Sequence, residues 1–184
     1  MKVFFAIEFE EQIKDYLFDI QNELKRYCTG GNFSRKQNFH LTLRFMGERN
    51  EMQIEQLKTV LSNTARDTRK FELKLGGLGN FSKGSKKIIW LGLRKSKELQ
   101  LLYGRLEEQL RIVGYEKEDR SYNPHITLVR EAGINDLGMA AEAIKTDGVP
   151  VCVRSVSLME STRVDNKLSY IAVKSQLLEA ENQL

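Results

Sequence analysis

Apolar residues follow two rhythms along this chain, and the switches between them mark its elements. Val3-Phe4-Phe5-Ala6-Ile7 is a short continuous apolar run, as expected of a buried strand. Ile13, Leu17, Ile20, Leu24 and Tyr27 then recur with the 3.6-residue period of an amphipathic helix, and Gly30-Gly31 is expected to stop it. From Phe39 the period becomes two. Phe39, Leu41, Leu43 and Phe45 alternate with His40, Thr42 and Arg44, predicting a strand ended by Gly47. Ile54, Leu57, Leu61 and Ala65 predict a second helix, and Phe71, Leu73 and Leu75 a strand that gives way to a loop over Gly76 to Lys87.

The same order of elements then returns. Ile88 to Leu93 predicts a strand with Trp90 in the core, and Leu99, Leu102, Leu106, Leu110 and Val113 a helix stopped by Gly114. An alternating strand around His125 follows, then a short helix around Leu137, Ala141 and Ile144. Strands near Val151 to Met159 and Tyr170 to Val173 are joined by a turn at Asp165-Asn166, and Glu179 to Leu184 reads as a frayed end. With only Pro124 and Pro150 in the chain and no Ser-rich linker, one α+β domain over 1–184 is expected. Its pseudo-repeat halves, about 1–78 and 86–176, would pack as lobes about an approximate two-fold axis, with the histidine strands face to face.

The chemistry lies in those two strands. Both histidines of the chain begin the same pattern, His40-Leu41-Thr42-Leu43 and His125-Ile126-Thr127-Leu128. With eight Thr in the chain, one His would have Thr two places on about 4% of the time by chance, and two would do so about 0.2% of the time. Residues two apart on a strand share a face, so each His and its Thr point one way while the aliphatic residues point into a core. A lone strand histidine is more often structural; a matched pair points to general acid and base. In-line displacement at a phosphate needs a proton removed from the attacking water, a proton given to the departing oxygen, and donors for the equatorial oxygens. Thr42 and Thr127 are candidate donors, although any strand Thr can be there as a β-former.

Composition narrows the partners without naming one. The 184 residues carry a net charge of +4, with 41% hydrophobic and 29% charged positions, which is ordinary for a water-soluble domain and leans weakly toward an anionic partner. The apolar start is too short for a signal-peptide core, and no run approaches the roughly 20 residues that span a bilayer. Cys28 and Cys152 have no metal-ligand or CxxC spacing, so two inert thiols in a reducing cytoplasm are expected. Gly79 to Lys86 resembles a Walker A loop only at a glance, because Ser precedes Lys and a strand follows. Lys83, Lys86 and Lys87 with Arg35 and Lys36 form either a basic rim for an RNA backbone or solvated loop charge. Tyr122 stands between base stacking and packing, and packing is favoured for Phe81.

The chain as a whole resembles the two-histidine phosphoesterase superfamily, and within it the RNA 2′,3′-cyclic phosphodiesterase branch, also called the 2′-5′ RNA ligase family. The resemblance is carried by MKVFFAIEF, NFHLTLRFMGE, KKIIWLGL, YNPHITLVR with Pro124 directly before His125, and SLMES followed by a strand around Tyr170. It implies a bilobal α+β fold and metal-free opening of a 2′,3′-cyclic phosphate to a 2′-phosphomonoester. In some members a reversible joining reaction forms a 2′-5′ linkage. It also implies His40 as proton donor and His125 as proton acceptor, a choice that the internal symmetry of the sequence leaves open. Arg130 matches an arginine that holds phosphate in some members, yet strict alternation puts it on the face opposite His125. The chain departs from the family at Lys2, where Arg is common, at Lys86-Lys87 in place of Pro-Arg, and at Asn123. The partner expected is RNA or a nucleotide with a 2′,3′-cyclic phosphate, bound by a monomer with no cofactor, no metal and no membrane. Two rivals stand beside this reading: a phosphodiesterase for ADP-ribose cyclic phosphate or 2′-5′ oligoadenylate, and an RNA-end binding protein with vestigial catalysis.

Overall fold

The computed structural model describes residues 1–146 and 148–179, apart from the side chain of Lys83. Thirteen elements follow one another among these residues: β1 (Lys2–Glu8), α1 (Glu11–Lys25), β2 (Cys28–Phe33), β3 (His40–Glu48), α2 (Glu51–Arg66), β4 (Phe71–Lys83), β5 (Lys86–Leu93), α3 (Lys97–Ile112), β6 (His125–Ile134), α4 (Leu137–Ala143), β7 (Pro150–Val153), β8 (Ser155–Val164) and β9 (Lys167–Leu177). A single 3₁₀ turn, Lys36–Asn38, precedes β3. Two antiparallel sheets result, one ordered β3-β1-β8-β9 and the other β2-β6-β5-β4-β7. No helix of the described residues is long and apolar enough to cross a membrane.

The helices begin and face inward for local reasons. Asn50 and Gln53 form a reciprocal capping box at the start of α2, and the Ser96 hydroxyl accepts from the Leu99 N–H at 3.1 Å to open α3. Leu17, Ile20 and Leu24 of α1, Leu57 and Leu61 of α2, and Leu102, Leu106 and Leu110 of α3 are buried with Phe5 and Ile7 of β1, Leu41 of β3, Ile89 and Leu91 of β5 and Ile126 of β6 in one cluster. Each such aliphatic side chain contributes about 1.5–3 kcal/mol by leaving water. The inward faces of both sheets are thereby fixed, and the opposite faces are left for His40 and His125.

The lobes are not the two sequence halves. β4 of the first half joins the sheet of β5 and β6, while β8 and β9 of the second half complete the sheet of β1 and β3. Each sheet is thus built from both halves. The expected strand from Val151 to Met159 divides at Arg154 into β7 and β8, which belong to different sheets.

Two glycine-rich stretches also differ from expectation. Gly30 and Gly31 do not stop α1, which ends at Lys25; they lie in β2, where a Cβ on Gly31 would come within 2.7 Å of Val129 Cγ2 on β6. Gly76 to Lys87 is no loop but the two arms of the β4–β5 hairpin. Glycine there hides a strand because Trp90 needs the space: a Cβ on Gly79 would sit 2.2 Å from its Cη2. The expected turn at Asp165-Asn166 is present, both residues having positive φ. Glu179 is tied to Ala65 by a backbone hydrogen bond, and the remainder of the expected frayed end, 180–184, lies outside the described residues.

Candidate active site

A bulge of the same kind interrupts both histidine strands. On β3, Thr42 and Arg44 face consecutive residues of β1, Ala6 and Phe5, leaving Leu43 extra. On β6, Thr127 and Val129 face consecutive residues of β5, Trp90 and Ile89, leaving Leu128 extra. In each strand the extra residue stands three places after the histidine. Alternation holds as far as the threonine and is then reset.

The reset corrects three assignments. Arg44, expected to point with His40, is buried at 8% exposure, and Phe45, expected in the core, is 49% exposed. Arg130, which strict alternation would turn away from His125, returns to the cleft face and lines the same cavity as His40 and Thr127.

The histidines are seated in the same way. Nδ1–H of His40 donates to the Asn38 carbonyl and Nδ1–H of His125 to the Asn123 carbonyl, each at 2.7 Å and each two residues back. A carbonyl can only accept, so the neutral ring carries its proton on Nδ1 and Nε2 is the nitrogen left for chemistry. Nε2 of His40 lies 3.0 Å from the Thr42 hydroxyl, which donates to it in the neutral ring. The His40 ring packs between Phe4 at 4.9 Å and the edge-on ring of Tyr170 at 4.9 Å. His125 is walled by Phe81, edge-on at 4.9 Å, and by Trp90 at 6.0 Å. Trp90 is therefore not core. It shares the cleft face with Thr127, its register partner, while Ile89 and Leu91 on either side are fully buried.

Beside His40 is a cavity of about 290 Å³, with Asn38, Thr127, Arg130, Lys167 and Tyr170 in its walls. Burial pushes the His40 imidazole down to about 4; the Asn38 carbonyl and the Glu8 carboxylate work against this, and Arg130 and His125 add to it. His125 is also pushed below its ordinary value, first by burial and then by Arg130, against the Asn123 carbonyl. Both rings are thus pushed toward the neutral form, under the influence of a guanidinium that an anion would neutralise.

The other residues singled out from the sequence fall in different places. Tyr122 is not brought to the cavity: its hydroxyl donates to the Thr42 carbonyl at 3.1 Å and its ring stacks on Tyr103 at 4.1 Å. Burial pushes its phenol up, as does Tyr103. Arg35 lines the cavity and donates to the Ser169 hydroxyl at 3.1 Å, but Lys36 is spent on Glu11 and Asp15. Lys86 is exposed at the hairpin end, and the Lys83 side chain lies outside what the structure describes. Lys2 starts β1 at the end remote from His40, over the ring of Phe45. Among the described residues, no group of three or more His, Cys, Asp or Glu could hold a metal ion.

Several supports were missed. Asn38 donates to the Leu168 carbonyl at 2.9 Å and accepts from the Tyr170 N–H at 3.2 Å, fixing β9 beside His40. Gln21, fully buried on α1, donates to the carbonyl of the bulge residue Leu128 at 2.8 Å, and the Ser34 hydroxyl donates to the Thr127 carbonyl at 2.9 Å. Asn38 and Asn123 are visible in the sequence as matched residues two before each histidine; Gln21 and Ser34 carry no sequence signal.

Comparison with known proteins bears on the family and the fold. The family model of the 2′-5′ RNA ligase superfamily matches residues 11–165. An RNA 2′,3′-cyclic phosphodiesterase of Thermotoga maritima is 32% identical over 131 residues, covering 71% of this chain and 70% of its own. Another from Methanocaldococcus jannaschii is 28% identical over 179 residues, covering 95% and 99%. Two crystal structures share the fold: TT0787 of Thermus thermophilus, at TM-score 0.83 and 21% identity over 99% of this chain and 100% of its own, and E. coli LigT complexed with 3′-AMP, at TM-score 0.77 and 24% identity over 96% and 97%. The bilobal α+β two-histidine phosphoesterase fold expected from the resemblance is the fold found.

Proposed function

The chain belongs to the 2′-5′ RNA ligase superfamily, and from that membership we propose that it opens the 2′,3′-cyclic phosphate end of RNA to a 2′-phosphomonoester, with His40 as acid and His125 as base. The observation that carries the reading is the matched seating of the two rings, each with Nδ1 tied to a backbone carbonyl and Nε2 turned to the chemistry, with His40 in the wall of the cavity that Arg130 lines. The coarser activity, that of a hydrolase of the 2′,3′-cyclic phosphodiesterase kind, is the one borne by its relatives' names.

Water loses a proton to His125 Nε2 as its oxygen bonds to phosphorus. The bond from phosphorus to O3′ breaks in line, and O3′ takes the proton from His40 Nε2. Arg130 holds the phosphate, and Thr42 and Thr127 donate to its oxygens as charge moves. The leaving O3′ belongs to the terminal nucleoside, so the acid must stand on the nucleoside's side of phosphorus. The cavity lies beside His40, which supports giving it that part. The acid must also be protonated, whereas burial and Arg130 favour neutral His40. The phosphate's own negative charge reverses the balance, because an anion within about 4–6 Å favours imidazolium.

With a 5′-hydroxyl in place of water at His125, the same forward steps form a 2′-5′ linkage, and their reversal cleaves it. Both proton transfers fall to side chains, so the reaction needs no metal. Every group comes from one chain, so a monomer suffices, and the free thiols of Cys28 and Cys152 accord with the cytoplasm. The test is chelator-treated protein and a short RNA ending in 2′,3′-cyclic phosphate, with the products separated. A 2′-phosphate end is expected; a 3′-phosphate end, or activity that returns only with one divalent metal, contradicts the reading.

A further inference from the structure

Register makes the two histidines inequivalent. Ala6 faces Thr42 and Trp90 faces Thr127; two residues further on, Glu8 faces His40 whereas Gly92 faces His125. One histidine therefore has a carboxylate as its cross-strand neighbour, and the other has no side chain there at all. Gly92 is not readily replaced, since a Cβ would meet Trp90 Cζ3 at 3.3 Å and the Gly77 carbonyl at 3.4 Å.

Glu8 is held in place. It shares its face of β1 with Phe4 and Ala6, which pack with Met159 and Tyr170 beside His40. Its Oε1 accepts from the hydroxyl of Ser157, a fully buried residue of β8, and from that of Ser175 on β9 at 3.3 Å. Two donors from two strands keep the carboxylate from turning out to solvent.

We propose that Glu8 is the positioning residue that decides which histidine carries the proton, its fixed carboxylate favouring the imidazolium of His40 in the substrate complex and leaving His125 neutral as the base. This deepens the acid and base reading of the site and rests on it. The other groups around His40 act the opposite way or carry no charge: Arg130 and His125 on β6, Arg35 before the 3₁₀ turn, and Lys167 and Tyr170 on β9. Among the described residues, Glu8 is the carboxylate that raises the proton affinity of His40, and none acts on His125. The bound phosphate adds to the pull of Glu8, and the two act together against burial and Arg130.

The test follows both imidazoles by NMR titration in the full chain, free and with inorganic phosphate, alongside the pH profile of kcat/KM on a cyclic-phosphate RNA. Glu8→Gln keeps an acceptor for Ser157 and removes the charge; Glu8→Asp keeps the charge. In Glu8→Gln the midpoint of His40 should fall by about half to one pH unit while that of His125 stays. The alkaline limb of the rate should move down with it, and Glu8→Asp should behave as wild type. In the wild-type protein, phosphate should raise His40 above His125. An unmoved His40 in Glu8→Gln, an equal displacement of both rings, or His125 above His40 in phosphate overturns the proposal. The titrations need no turnover, so they separate failure of this inference from failure of the proposed activity.

Discussion

Tyr122 donates its hydroxyl to the backbone carbonyl of Thr42, so a residue three places before the second histidine is fastened to the strand of the first. The same segment is gripped by Arg44 at the bulge of β3, which donates to the Glu116 carbonyl at 2.7 Å and faces Glu118 at 3.4 Å. The spacing of the two imidazoles thus depends on side chains that touch neither of them.

Tyr122→Phe keeps the stack on Tyr103 and deletes this single hydrogen bond. Stability should fall by about 0.5–1.5 kcal/mol in urea unfolding. If the bond sets the relation of the two motifs, kcat should drop about tenfold with KM held. A loss of stability with kcat unchanged would make Tyr122 a packing residue only.

Arg44 is nearly buried and lies 3.5 Å from the equally buried Glu107 of α3. Arg44→Met leaves that carboxylate without its partner and should cost about 3–5 kcal/mol. Adding Glu107→Gln should restore part of the loss. Two losses that simply add in a double-mutant cycle would show that the pair is not coupled.

Gly79→Ala forces the Trp90 ring away from its seat, since the new Cβ would fall 2.2 Å from Cη2. Overpacking of this kind costs about 1–3 kcal/mol. Trp90 is the sole tryptophan, so its emission reports the displacement directly. Emission should shift to the red and activity should fall, because the ring walls His125; an unchanged spectrum with full activity would refute that role.

Stability should depend on pH through His40. Its value lies near 4 in the folded protein and near 6.5 unfolded, so between these the unfolded chain binds the proton and the folded one does not. Stability is therefore full above about pH 6.5 and declines as pH falls toward 4, by roughly 2 kcal/mol after allowance for partial exposure. Urea unfolding of wild type and His40→Asn at pH 4.5 and 7 checks this. The variant should lose that share of the slope, and equal slopes would contradict the burial of His40.

The histidine strands and the three long helices are legible in the sequence because their apolar periods are strong and local. The bulges are not. Alternation cannot show where a strand gains a residue, so Arg44, Phe45 and Arg130 each fall on the wrong face from one cause. Gly30-Gly31 and Gly76 to Gly79 read as stops and loop, because the side chains that need the space at Gly31 and Gly79, Val129 and Trp90, lie on other strands. The exchange of β4 against β8 and β9 between sheets is a matter of long-range pairing that no local pattern records. Tyr122 reads as a substrate contact because its residue type suits stacking, and only the fold shows its hydroxyl turned to Thr42.

The central claim is the division of labour between His40 and His125, and a change of leaving group tests it most directly. With sulfur in place of O3′ the departing thiolate needs little or no general acid, while water still needs its base. On that substrate His40→Ala should recover much of its lost rate relative to wild type, and His125→Ala should remain impaired. Rescue of His125→Ala instead would reverse the two roles, and rescue of neither would mean that both rings chiefly bind the phosphate.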